Sequence, residues 1–139
     1  MRKSKPGLKK SKPDTISLDQ PELLFNYCRA ELGAEPSEVF EVIYLDSRFR
    51  VIDREILAKG TIDRAAIYPR QVMANALIKG ASSLVFVHNH PDGDVTPSEH
   101  DKTVTRALVL AAKTLGIAVF DHIIVSKEEA FSFRKEVLL

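Results

Sequence analysis

Residues 83–101 read SLVFVHNHPDGDVTPSEHD, and the fold turns on how this stretch divides. Ser83 opens an apolar run that continues to Val87, the profile of a central strand covered on both faces. Side chains alternate along a strand, so Leu84, Phe86, His88 and His90 share one face, and two imidazoles emerge where the strand ends. Pro91 stops the strand and Asp92-Gly93-Asp94 makes a turn. Thr96, Pro97 and Glu99 then read as the N-cap, first residue and capping-box acid of a helix. Val104, Leu108, Ala111 and Leu115 form its expected buried stripe, and Gly116 its stop.

Asp101 sits awkwardly in that helix. It lies three residues before Val104 and seven before Leu108, so it faces inward, and Ser98 shares its face. A carboxylate turned toward the interior is costly unless it meets a cation or several donors. Two imidazoles at the end of the neighbouring strand point to a metal as the missing partner. His88, His90 and Asp101 would give three ligands and leave a position for water, the arrangement of a hydrolytic zinc site with one Zn²⁺ per chain. A lone strand-end histidine, or a lone acid at a helix dipole, has an ordinary explanation. The combination does not, because the inward acid is then left over. His100 precedes Asp101 and points about 100° away from it around the helix, so it reads as a surface residue. His122, in the middle of FDHII, reads as a core histidine.

Outward from this stretch, the chain alternates helical and extended patterns. Leu23, Leu24, Tyr27, Cys28 and Leu32 recur at helical spacing over 19–32, with Pro21 in the opening turn and Gly33 as the stop. Val39–Leu45 reads as a strand buried on both faces, joined through Asp46-Ser47-Arg48 to a second strand over 51–58 in a hairpin. Tyr68-Pro69 opens another helix with Val72, Met73, Ala76 and Leu77 inside and Gly80 at its end. Ala118–Val125 is a further strand, and 128–139 fits either a short strand or a helix. These elements define an α/β or α+β class built on one mixed sheet.

The chain has 139 residues, the size of one domain, and an ordinary balance of apolar and charged residues. No apolar run is long enough to span a membrane and no signal-peptide pattern opens the chain, so neither a membrane association nor secretion is expected. Cys28 is the single cysteine, which excludes an internal disulfide framework and a cysteine-rich metal site. It falls in a helical stripe and reads as an inert core thiol, and a reducing cytoplasm is the expected compartment. Six bases and no acid fall within residues 1–12, which leaves fourteen bases against nineteen acids in the rest. Residues 1–14 therefore read as a disordered basic arm ahead of a domain over 15–139. With no aromatic residue among its bases to stack on nucleobases, the arm reads as a solvated tail, and contact with nucleic acid is the lesser reading.

His88-x-His90-Pro91, followed by Ser98-x-x-Asp101 with seven residues between His90 and Ser98, resembles the JAMM motif of the JAB/MPN metalloproteases. The longer run of RVIDREILAKGTID, YPRQVMANAL, VHNHPDGDVTPSEHD and LGIAVFDHIIVS is similar, in that order, to the RadC-like branch of the family, over about residues 18–126. The resemblance implies a JAB/MPN-like (cytidine deaminase-like) mixed sheet flanked by helices, with zinc on His88, His90 and Asp101. It also implies that Ser98 hydrogen-bonds the reacting oxygen and that an upstream glutamate acts as general base. Glu38, at the start of the first strand, is the expected base. Glu41 is the rival, on the opposite face by strand parity, and Glu55 is a weaker candidate on a solvated strand. Asn89 stands where deubiquitinating relatives carry Ser or Thr, as the RadC-like branch allows.

The implied activity is hydrolysis of a peptide or isopeptide amide by a metal-activated water, with a peptide or protein as substrate. Two alternatives are a DNA-repair or DNA-processing protein and a non-catalytic interaction module. In the family a helix-hairpin-helix segment precedes this domain and supplies the usual reason to expect DNA binding; none is expected here. Substrate choice would fall to the loops at 60–66 and 92–96, and an unpaired edge strand would allow a homodimer.

Overall fold

The computed structural model describes residues 14–17, 19–60 and 67–139. The basic arm expected at 1–14 therefore lies, but for Asp14, outside the described residues, as does most of the loop 60–66. The elements follow as α1 (Pro21–Leu32), β1 (Val39–Leu45), β2 (Val51–Lys59), α2 (Pro69–Lys79), β3 (Ser83–Asn89), α3 (Glu99–Thr114), β4 (Ala118–Val125) and β5 (Ala130–Ser132). This is a single α+β domain, and every strand and helix read from periodicity is present.

The five strands form one sheet in the order β2-β1-β3-β4-β5. β1 runs antiparallel to β2 and to β3, β3 and β4 are parallel, and β5 turns back antiparallel to β4. Parallel neighbours need a crossover, and α3 provides it. Alternation splits the core in two. Ile43, Leu45, Val85, Val87 and Ile123 pack under α1 with Leu24, Tyr27 and Cys28. Phe40, Val42, Tyr44, Leu84 and Phe86 pack on the other face against α2 and α3. A bulge at Phe120 re-phases β4, since Leu84 pairs with Val119 but Val85 pairs with Asp121.

The final segment resolves into a three-residue strand and a turn. The buried Asp121 carboxylate organises it, accepting from Ser132 Oγ at 2.6 Å and from Arg134 N at 2.9 Å. Cys28 is buried as expected, and burial pushes its thiol pKa up, away from reactivity.

Three helix-face assignments differ from the periodicity. Leu23, Leu77 and Leu115 are 58 %, 56 % and 45 % exposed. In α3 the buried set is Asp101, Thr105, Leu108 and Ala112, with Val104 and Ala111 only partly covered. Thr105 turns inward because it has a partner there. Its hydroxyl lies 2.8 Å from Asp101 O and 2.6 Å from His122 Nδ1. A carbonyl can only accept, so the hydroxyl donates to Asp101 O and its oxygen accepts a hydrogen bond from His122 Nδ1–H.

Gly33 ends α1 in right-handed helical geometry, φ −62°, so its role differs from that of a left-handed stop such as Gly80. What requires glycine is space: a Cβ at position 33 would lie 2.5 Å from Arg29 O and 2.6 Å from Ser126 O. Both obstacles are backbone and cannot swing aside. Gly33→Ala is expected to destabilise the fold by about 1–3 kcal/mol, read as a lower urea midpoint at unchanged slope. An unchanged midpoint would show that the α1–β4 contact yields freely.

Candidate metal centre

β1 and β3 are antiparallel, so the start of β1 lies beside the end of β3, and Phe40 pairs with His88. Each side chain of the centre arrives from one of these ends or from the start of α3. His88 is the penultimate residue of β3 and is buried. His90 follows the strand, and its backbone N–H donates to Val125 O at 2.9 Å, which extends the β3–β4 pairing by one residue. Asp101 stands in the first turn of α3, 7 % exposed.

The N-terminus of α3 lies two residues later than the Thr96 reading. Ser98 is the N-cap, with Oγ accepting from Asp101 N at 3.0 Å, while Asp101 Oδ2 accepts from Ser98 N at 2.8 Å. Aspartate thus completes a capping box of the Ser-x-x-acid kind. Thr96 belongs to the preceding turn, where its N–H donates to Asp94 Oδ1 at 2.9 Å. Both Thr96-x-x-Glu99 and Ser98-x-x-Asp101 are present in the sequence; burial of Asp101 selects the second. Ser98 itself is exposed at the mouth of the centre rather than turned inward along the helix.

His88, His90 and Asp101 could hold a metal ion: one ligand atom from each lies within 4.8 Å of the others. His90 Nε2 is 3.2 Å from Asp101 Oδ2, and its Nδ1 donates to Asp94 O at 2.7 Å. That second bond holds a proton on Nδ1, so the Nε2 proton shared with Asp101 is the one a metal would displace. His88 Nδ1 is buried without a hydrogen-bond partner, 3.7 Å from Asp101 Oδ1. An unpartnered buried nitrogen beside a carboxylate and a second imidazole is what a donor set prepared for a cation looks like.

The charges are strongly coupled. Burial alone would raise the Asp101 pKa, but the His90 bond, the Ser98 N–H and the two nearby imidazoles outweigh it and hold the carboxyl well below its usual range. Burial lowers the His88 pKa, with Asp101 opposing it. The bond to Asp101 raises that of His90.

The structure sorts the three glutamates. Glu38 Oε1 stands 3.2 Å from His88 Nε2, with its side chain 38 % exposed to the groove. Glu41 lies on the α1 face, where its charge acts on Tyr27 and Cys28. Glu55 is on the α2 side, accepting from Tyr44 Oη at 2.6 Å. An open groove of about 760 Å³ passes over the centre, bordered by Glu38, Gly60, His90, Asp94, Ser98 and Asp101.

Two histidines complete the picture. His122 is fully buried, stacked on Phe133 at 4.6 Å and on His88 at 6.1 Å. His100 departs from the surface reading. It is half-buried, and its Nε2 has no hydrogen-bond partner, beside a small cavity shared with Glu38, Phe40, Ile67, His88 and Val104. Helical angle alone did not reveal this, because the start of β1 folds over that flank of α3.

A mixed sheet that presents His-x-His from a strand end and Asp from the following helix is the architecture of a JAB/MPN-type domain. The chain belongs to the RadC-like JAB domain family, whose profile matches residues 18–138. Among similar proteins are UPF0758 proteins of Rhodobacter capsulatus, 42 % identical over 118 residues, and of Actinobacillus pleuropneumoniae, 41 % over 120. Another is from Finegoldia magna, 40 % identical over 122 residues. These alignments cover 85–88 % of this chain and 54–55 % of the relatives, so the chain spans about half the length of the curated relatives it matches.

Burial, with His88 adding to it, lowers the His122 pKa to about 3. An unfolded imidazole protonates near pH 6.5, so the unfolded chain takes up this proton first as pH falls. Stability of the metal-free protein should therefore drop as pH is lowered from about 6.5 toward about 3, and this contribution is constant above that window. The check is the melting temperature across the range, together with His122 ring resonances, which should keep neutral shifts at about pH 5. A charged His122 at that pH in folded protein would contradict the burial argument.

Proposed function

We propose that this domain is a zinc-dependent hydrolase that cleaves a peptide or isopeptide amide. The observation that carries the reading is the convergence of the His88, His90 and Asp101 donors with the Glu38 carboxylate, with Glu38, His90 and Asp101 lining one open groove and His88 buried beside them. Two imidazoles and a carboxylate with room for water suit zinc in a catalytic site. Among the described residues no helix is long and apolar enough to cross a membrane.

Zinc held there supplies a Lewis acid that acidifies a water molecule and polarises the substrate carbonyl. The other steps belong to side chains. Glu38, half-exposed at the groove and beside His88, takes the proton from the attacking water and returns it to the leaving amine. Ser98 has its oxygen engaged by Asp101 N–H but keeps its own proton, which it donates to the oxygen that gains charge in the transition state. The Asp94 carbonyl keeps His90 in one tautomer, and the Ser98 N–H steadies Asp101, so the ligand geometry needs little reorganisation.

Purified protein should contain about one zinc per chain, and His88→Ala with His90→Ala should lose it. Glu38→Gln should keep the metal and lower kcat on an amide substrate by roughly 10²–10⁴. Folded wild-type protein that binds no zinc would sink the proposal, as would a Glu38→Gln variant with full activity.

A further inference from the structure

Asn89 lies between the two histidines and, by alternation, on the opposite face of β3. It is fully buried, and its neighbours on that face, Val85 and Val87, are apolar core. Packing makes no demand for an amide there, and a buried amide is costly unless its bonds are made. Asn89 makes three, all to the segment that leads into β1. Its Oδ1 accepts from Val39 N at 2.6 Å, and its Nδ2 donates to Ser37 O at 3.0 Å and to Glu35 O at 3.3 Å. From the other side Gly60 N donates to Glu38 O at 2.9 Å.

The peptide groups on both sides of Glu38 are thus held by one side chain, and its carbonyl by the end of β2. This matters because the last β1–β3 pair is Phe40 with His88. Beyond it the sheet offers 35–39 no backbone partner on the β3 side, and a strand end without partners frays. Asn89 substitutes for the missing ladder.

We propose that Asn89 is a positioning residue for Glu38, fixing the backbone of 35–39 so that the carboxylate stands over His88. The catalytic consequence rests on the hydrolase reading of Glu38; the structural one does not.

The test is amide hydrogen exchange on Asn89→Ala beside wild-type protein, with zinc content and amide hydrolysis measured on the same samples. Val39 N–H should exchange at least about tenfold faster, while Ile43, in the middle of β1, keeps its wild-type rate. Zinc content should be unchanged. The kcat should fall to the level of Glu38→Gln at unchanged KM, with no further loss in the double variant. Wild-type protection at Val39 would overturn the proposal. So would equal acceleration at Val39 and Ile43, which marks general destabilisation, or multiplicative losses in the double variant. Asn89→Asp guards against a failure of the alanine variant to fold. It keeps the size and the Val39 acceptor but sets a carboxylate oxygen against the Ser37 and Glu35 carbonyls in place of the two donors, and its crystal structure should show Glu38 moved off His88. An unmoved Glu38 there overturns the proposal. Absence of hydrolysis by the wild type would count against the hydrolase reading alone, and the exchange and structural results would still decide the positioning role.

Discussion

A carboxylate can remain charged inside a protein only if donors or cations surround it, and Asp101 is where this chain meets that constraint. Its partners come from its own helix cap and from the end of β3: the Ser98 N–H, His90 Nε2 and the His88 ring. The carboxylate therefore does two jobs with one charge. It closes the capping box that starts α3, and it draws two imidazoles into metal-ligand spacing. The start of the helix and the end of the strand are tied to each other because the same oxygen atoms serve both.

Sheet topology supplies what this tie cannot. β1 runs against β3, so the residues that enter the first strand come back to the histidines that leave the third. Glu38 reaches the centre across fifty positions of sequence by that route, whereas Glu41, three residues on, is carried to the α1 face. Beneath the centre, His122 and Thr105 join β4 to α3 through a buried bond, so the floor of the site is polar but closed. The groove above it is bordered mainly by the turn after β3 and by the residues that enter β1 and leave β2, so its walls are loops rather than sheet.

The elements with strong local patterns were legible in the sequence. β3 and β4 are almost continuous apolar runs, and α2 ends at a glycine that adopts the left-handed conformation its position calls for. The inward turn of Asp101 followed from helical periodicity alone. Features set by a partner distant in sequence were not legible. Two overlapping cap signatures competed at the start of α3, and burial of the second acid decided between them. Thr105 displaced Val104 from the buried face because His122 waits beneath it. Gly33 looked like a conformational stop and is instead a point of close backbone approach to Ser126. Asn89 looked like a substitution within a motif, and its three bonds exist only once β1 lies alongside β3.

By itself the sequence determined the class of the fold, the order of its elements and the three residues that could hold a metal ion. Each of these depends on periodicity and spacing within a few turns of chain. Tertiary structure alone decided where Glu38 stands, that Ser98 rather than Thr96 caps α3, that His100 is half-buried, and that Asn89 holds the entry to β1. The physical reason is common to all four. A hydrogen bond or a desolvated atom depends on what lies across the sheet, and alternation along one strand carries no information about the strand or helix that will cover it.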